Sequence, residues 1–169
     1  MALTQKENEM NDTSELNIDK AHLEFAKGTN GVVWNLLMKE DRSAQENEEM
    51  IHAAHASLYH WSNVGTPLNQ QRGQWLLAHI YTILGRVEAA LYHAQRCLAM
   101  TEEHGDLMKD FDIAYGYEGI ARAQALAGNS DESKKLKTKA QKAGENITDP
   151  EDKKIFMGDF TSGDWYGIE

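Results

Sequence analysis

Residues of matching size recur 43 positions apart through the middle of the chain: Gly73 with Gly116, Leu77 with Ile120, Ala78 with Ala121, Gly85 with Gly128, Glu88 with Asp131 and Cys97 with Ala140. Each unit reads as a helix with a small residue at its centre, a turn through Leu84-Gly85 or Ala127-Gly128, and a second helix studded with small residues. Small residues at these places let antiparallel helices approach closely. A unit that cannot bury its apolar face alone must stack on a neighbour. A helical solenoid meets both conditions.

Local signals agree. Valine occurs only at 32, 33, 64 and 87, and no stretch alternates apolar with polar residues as a half-buried strand does. Pro67 and Pro150 sit where a helix can begin, with Thr66 and Asp149 as N-caps, and Ser43-Ala44-Gln45-Glu46 forms a capping box. Helices are expected near 18–39, 43–63, 67–84, 86–104, 109–127, 130–144 and 150–160, the first broken or bent at Gly28 and Gly31, since a mid-helix glycine costs about 1 kcal/mol relative to alanine. Residues 1–17 are polar, acidic and aperiodic and are expected to be disordered, leaving 18–169 as one helical domain.

Composition narrows the function classes. The chain carries 17 Lys+Arg against 27 Asp+Glu, a formal net charge of -10, which repels phosphate backbones and argues against nucleic acid. No apolar run is long enough for a membrane span, and no disulfide can form within a chain whose lone cysteine is Cys97. With a polar start lacking an apolar core, these features point to the cytoplasm.

The units resemble the tetratricopeptide repeat family. Leu77-Ala78, Tyr81 and Leu84-Gly85 are similar to its first helix and turn, and Ala90, Ala94 and Cys97-Leu98 to the small positions of its second. Ile120-Ala121, Gly128 and Ala140 repeat the match, while Gln124, Ser133 and Lys137 depart from it and suggest a terminal, partly solvated repeat. The spacing exceeds the family's roughly 34 residues and looks like the longer variety found in kinesin light chains. A narrower similarity, to uncharacterised bacterial proteins of tetratricopeptide type, runs through His52–Ala56, Tyr59-His60-Trp61, Gln71-Arg72-Gly73 with Trp75-Leu76, and Gly163-Asp164-Trp165-Tyr166-Gly167. The resemblance implies an all-α, right-handed stack of about three hairpins, helices 18–39 and 43–63 forming the first, with a cap from the aromatic segment Ile155-Phe156-Met157, Phe160, Trp165-Tyr166.

The resemblance also implies a concave surface lined by the first helix of each unit. Carried over by position, Arg72, Trp75, His79, Thr82 and Ile83 face it from one unit and Tyr115, Glu118, Arg122, Ala125 and Leu126 from the next. Arg72, Trp75, His79, Tyr115, Glu118 and Arg122 combine guanidinium forks with flat aromatic surfaces, a composition typical of recognition patches. The opposing expectation is that the charged members pair with one another and the aromatics fill gaps between helices.

A second candidate lies on helix 43–63, where Glu48, His52, His55 and Tyr59 form a seam beside the core stripe of Ile51, Ala54, Leu58 and Trp61. Imidazoles beside a carboxylate can hold a metal or act as a general base, but complete metal motifs are missing, and the seam reads first as histidines bonded to backbone carbonyls across a helix junction. His79 or His93 would have to converge on it to complete a three-histidine site. Cys97 falls at a small, buried repeat position, and Lys134, Lys135, Lys137, Lys139 and Lys142 read as a solvated face.

The leading expectation is a binding module without cofactor or metal, taking a peptide, a protein partner or a small carboxylate-bearing ligand in the groove. The alternatives are a metal-dependent enzyme on the histidine seam and a structural, dimerising protein whose groove is closed by its own C-terminus.

Overall fold

The computed structural model describes residues 17–169. Among the described residues seven α-helices follow one another: α1 (Ile18–Leu37), α2 (Ala44–Val64), α3 (Pro67–Ile83), α4 (Val87–Glu103), α5 (Asp110–Leu126), α6 (Ser130–Glu145) and α7 (Pro150–Thr161), with one 3-10 turn (Gly105–Leu107) after α4. Among the described residues there is no strand. The disorder expected for 1–17 concerns residues outside the description except Asn17, whose side-chain oxygen accepts the Lys20 N–H and caps α1.

Capping chemistry sets the ends. The Ser43 hydroxyl accepts the Glu46 N–H at 3.2 Å while the Glu46 carboxylate accepts the Ser43 N–H at 2.9 Å, and Asp149 accepts the N–H groups of Glu151 and Asp152. Thr66 stands at the N-cap of α3, as expected, and Asn69 reaches back to accept from the Thr66 N–H and hydroxyl, while Pro67 in the first turn has no N–H to satisfy. α1 is not broken: Gly28 and Gly31 lie inside a continuous helix with open space where a Cβ would be. Burial of Ala26, Val33 and Leu36 on its inner face offsets the glycines' propensity cost.

Neighbouring helices pair. α1 packs with α2, α3 with α4 and α5 with α6; α2 joins α3, α4 joins α5, α3 touches α5, and α7 lies on α5 and α6. The main core runs through Val33, Met50, Ile51, Leu77, Ala78, Ile80, Ala94, Ile120, Ala121 and Leu136, and a second cluster places Phe156 and Phe160 of α7 against Ala114 and Ala140. Each large side chain sealed in this way contributes about 1.5–3 kcal/mol.

The 43-residue spacing is kept in three dimensions. A Cβ on Gly73 would lie 2.8 Å from Leu58 Cδ1 and one on Gly116 2.8 Å from Thr101 Oγ1, so each glycine admits the helix before it, and Leu58 and Thr101 are themselves 43 apart. Gly85 and Gly128 both adopt positive φ, 69° and 78°. Around them Arg86 N donates to Tyr81 O and Asn129 N to Gln124 O, while each glycine N–H bonds three residues back, the same Schellman cap twice. In the first hairpin Arg42 stands 43 positions before Gly85, and its guanidinium satisfies the carbonyls of Leu36, Leu37 and Lys39. Ser133, at a small position of the second unit, is fully buried and donates to Ala121 O, correcting the expectation of a solvated site there.

Candidate functional site

The helices leave a depression of about 490 Å³ where α1, α2, α3, α5 and α7 meet. Its walls are aromatic: Trp34 from α1, Trp61 from α2, Trp75 from α3, and Phe111 and Tyr115 from α5, with Ile155 and Asp159 from α7 on one side. Trp34 is 43 % exposed and lies near-parallel to half-buried Trp75, ring centroids 6.4 Å apart, while Tyr115 meets Trp75 edge-on at 5.0 Å. Arginine and aspartate complete the floor. Arg72 Nε and Nη2 donate to the two carboxylate oxygens of buried Asp112 at 2.7 and 3.0 Å, and the guanidinium lies over Phe111 at 5.0 Å. Asp112 also accepts the Lys109 N–H, so one carboxylate starts α5 and ties it to α3.

Tyr115 donates its hydroxyl proton to Asp159 at 2.5 Å. Burial, reinforced by that carboxylate, pushes the phenol above its ordinary pKa, which keeps it a donor. Gln71 is 1 % exposed yet lines the depression; its amide N–H groups go to Thr101 Oγ1 and the Asp112 carbonyl, and its Oε1 meets no donor among the described residues.

Of the six groove residues expected from sequence, Arg72, Trp75 and Tyr115 line this depression and His79, Glu118 and Arg122 do not. Glu118 and Arg122 are buried, 3 % and 7 % exposed, and bonded to each other. The rest of the Arg122 guanidinium donates to the carbonyls of Asp159, Ser162 and Asp164 at 2.8–2.9 Å and sits 4.3 Å from the Trp165 ring centroid. Arg122 is thus the anchor of the C-terminal segment, with no donor turned to an outside carboxylate. His79 stacks on Trp75 at 5.3 Å, and burial lowers its pKa.

The C-terminal segment closes one end of the stripe only. Gly163 and Gly167 take positive φ and turn the chain so that the Tyr166 hydroxyl donates to Thr82 O on α3 and Lys137 Nζ donates to Ile168 O from α6. Lys137 also lies over Trp165, so it leaves the solvated lysine face to which the sequence assigned it. Ile155, expected in the cap, is 53 % exposed and borders the depression, whereas Phe156 is fully buried.

The histidine seam divides among three neighbours. Glu48 pairs with Arg86; His55 Nε2 lies 2.8 Å from the Tyr81 hydroxyl; Tyr59 is exposed beside His22 and His60; and His52 is exposed. His93 packs its ring on Tyr81 and places Nδ1 2.7 Å from Gln74 Oε1. Burial, with His55 and Arg96 nearby, lowers its pKa to about 4. Among the described residues no three of His, Cys, Asp or Glu are grouped to hold a metal. Cys97 is buried, and desolvation pushes its thiol up to about 12.

Trp34, Trp61, Gln71, Phe111, Asp112 and Asp159 line the depression without having been singled out for it from sequence. Trp61 shares the helical phase of Ile51, Ala54 and Leu58, and phase does not separate a side chain facing the core from one at the mouth of a gap between hairpins. Among the described residues no helix is long and apolar enough to cross a membrane. No family model matches the chain, and neither a curated protein nor a solved structure matches it.

Proposed function

We propose that the chain is a non-catalytic binding module of tetratricopeptide-like build, three stacked hairpins with α7 as cap, which takes a peptide or an exposed segment of a protein partner in the aromatic depression. The repeated Gly73/Gly116 contacts and the twin Schellman turns support the stack. One observation carries the functional reading: three tryptophans, a phenylalanine and a tyrosine converge on an open depression instead of closing over it. Partly open aromatic clusters of this kind are where binding energy concentrates in protein recognition. A peptide or protein is favoured over a free carboxylate because both arginines of the stripe already hold carboxylates, Asp112 and Glu118. A reducing compartment such as the cytoplasm suits the single buried thiol.

The test is selection of a displayed random-peptide library on the purified protein, followed by affinity measurement on a Trp34→Ala variant. Trp34 is a partly exposed wall, so its truncation leaves the core intact. Enriched peptides should bind the variant at least about tenfold more weakly. Failure to enrich any sequence, or enriched peptides that bind both proteins equally, would overturn the proposal.

A further inference from the structure

We infer that the anchor accepted by this depression is a cationic side chain, lysine or arginine, of the partner peptide; the inference rests on the reading of the depression as a peptide site. Three observations converge. First, the walls are π-faces, and a desolvated ammonium or guanidinium within about 6 Å of such rings is held by their quadrupoles. Arg72 over Phe111 shows the same wall already holding one cation.

Second, the charges of the lining are unbalanced. The lining holds one arginine, Arg72, and two aspartates, Asp112 and Asp159, and the Arg72 charge is matched by the twofold bond to Asp112. Asp159 remains: one of its oxygens takes the Tyr115 hydroxyl, while Oδ1 meets no donor among the described residues. A carboxylate-bearing anchor would have to compete with Asp112 for Arg72; a cation meets a carboxylate that is still available. The net charge of -10 on the whole chain draws basic segments toward it.

Third, Gln71 Oε1, on a side chain that reaches the lining, meets no donor among the described residues. An ammonium or guanidinium N–H entering the depression is a donor that this oxygen can accept. A purely apolar anchor would satisfy the rings and gain nothing from Gln71 Oε1 or from the exposed Asp159 carboxylate.

The four tryptophans make the test site-specific, since Trp34, Trp61 and Trp75 line the depression and Trp165 does not. Their indole N–H resonances would be followed by NMR while five capped pentapeptides are titrated, each with two glycines on either side of arginine, lysine, citrulline, norleucine or glutamate. The arginine and lysine peptides should move the three lining resonances, leave Trp165 in place, and bind at least about fivefold more tightly than the neutral and acidic ones. Asp159→Asn, which keeps an acceptor for Tyr115, should remove most of that preference. Equal or tighter binding of citrulline, norleucine or glutamate peptides would overturn the cationic anchor while leaving a peptide site in place, as would a preference unaltered by Asp159→Asn. If none of the five peptides moves the three resonances, the inference falls; if library selection also fails, the reading beneath it falls too.

Discussion

Arg122 ties α5 to the C-terminal segment. Arg122→Met keeps the length of the aliphatic stem and removes a guanidinium that is 7 % exposed, bonded to buried Glu118 and to three carbonyls of the C-terminal segment. The Glu118 carboxylate would then be buried without its cation, a change that typically costs about 3–5 kcal/mol. The lost carbonyl bonds and the stack on Trp165 act in the same direction, although the terms do not add, because the segment would relax toward water once released. Against a typical domain stability of about 5–15 kcal/mol, this is a large share. With a urea slope of about 2 kcal/mol per molar, the unfolding midpoint should fall by about 1.5–2.5 M.

Urea unfolding followed by far-ultraviolet circular dichroism measures this shift. Limited proteolysis at the Gly163 turn should accelerate in parallel. Adding Glu118→Gln should recover part of the loss, since the stranded charge is gone. Arg122→Lys should still destabilise, because an ammonium cannot reproduce the fork that reaches Asp159, Ser162 and Asp164 together. A midpoint for Arg122→Met within experimental error of wild type, or a double variant no better than the single one, would refute the reasoning.

Three further outcomes are expected. Ala78→Leu and Ala121→Leu should each lower stability by about 1–3 kcal/mol in denaturant titrations, because both sites are sealed, 1 % and 0 % exposed, at close helix approaches. Glycine replacements should split by sign: Gly28→Ala and Gly31→Ala should each raise stability by about 0.5–1 kcal/mol, whereas Gly144→Ala, whose Cβ would lie 2.2 Å from Phe156 Cε1, should lower it by at least about 1 kcal/mol. His55, His79 and His93 all have lowered pKa values, chiefly because burial disfavours the charged ring. Between the ordinary value of 6.5 and the folded value of about 4 for His93, the unfolded chain binds more protons, so stability must fall as pH is lowered through that window. His93→Gln should flatten the decline between those limits, and an unchanged slope would count against the burial argument.

The order and limits of the helices were legible from local chemistry. Each observed end lies within two residues of its expected place, because capping residues, first-turn prolines and the glycines after Leu84 and Ala127 act over a single turn of chain. The 43-residue spacing was legible for the same kind of reason. It records where a helix must be thin, and the contacts of Gly73 with Leu58 and of Gly116 with Thr101 bear out that need.

The pairing of Arg122 with Glu118 was open to the sequence as the opposing expectation, whereas the partner of Arg72 was not legible. Helical phase places Arg72 and Arg122 on equivalent faces, yet Arg72 meets Asp112 across to the next hairpin while Arg122 meets Glu118 on its own helix and the returning C-terminus. What separates them is whether a further element arrives to cover the site. α7 and the Gly163 turn fold back over Arg122, whereas the depression between Trp34, Trp75 and Tyr115 stays open. The sequence by itself therefore determined the helices and their close-approach points, through interactions a few residues long and a spacing repeated along the chain. Only the tertiary structure decided which stripe residues anchor the C-terminus and which line the opening, because long-range packing brings segments far apart in sequence into competition for the same side chains.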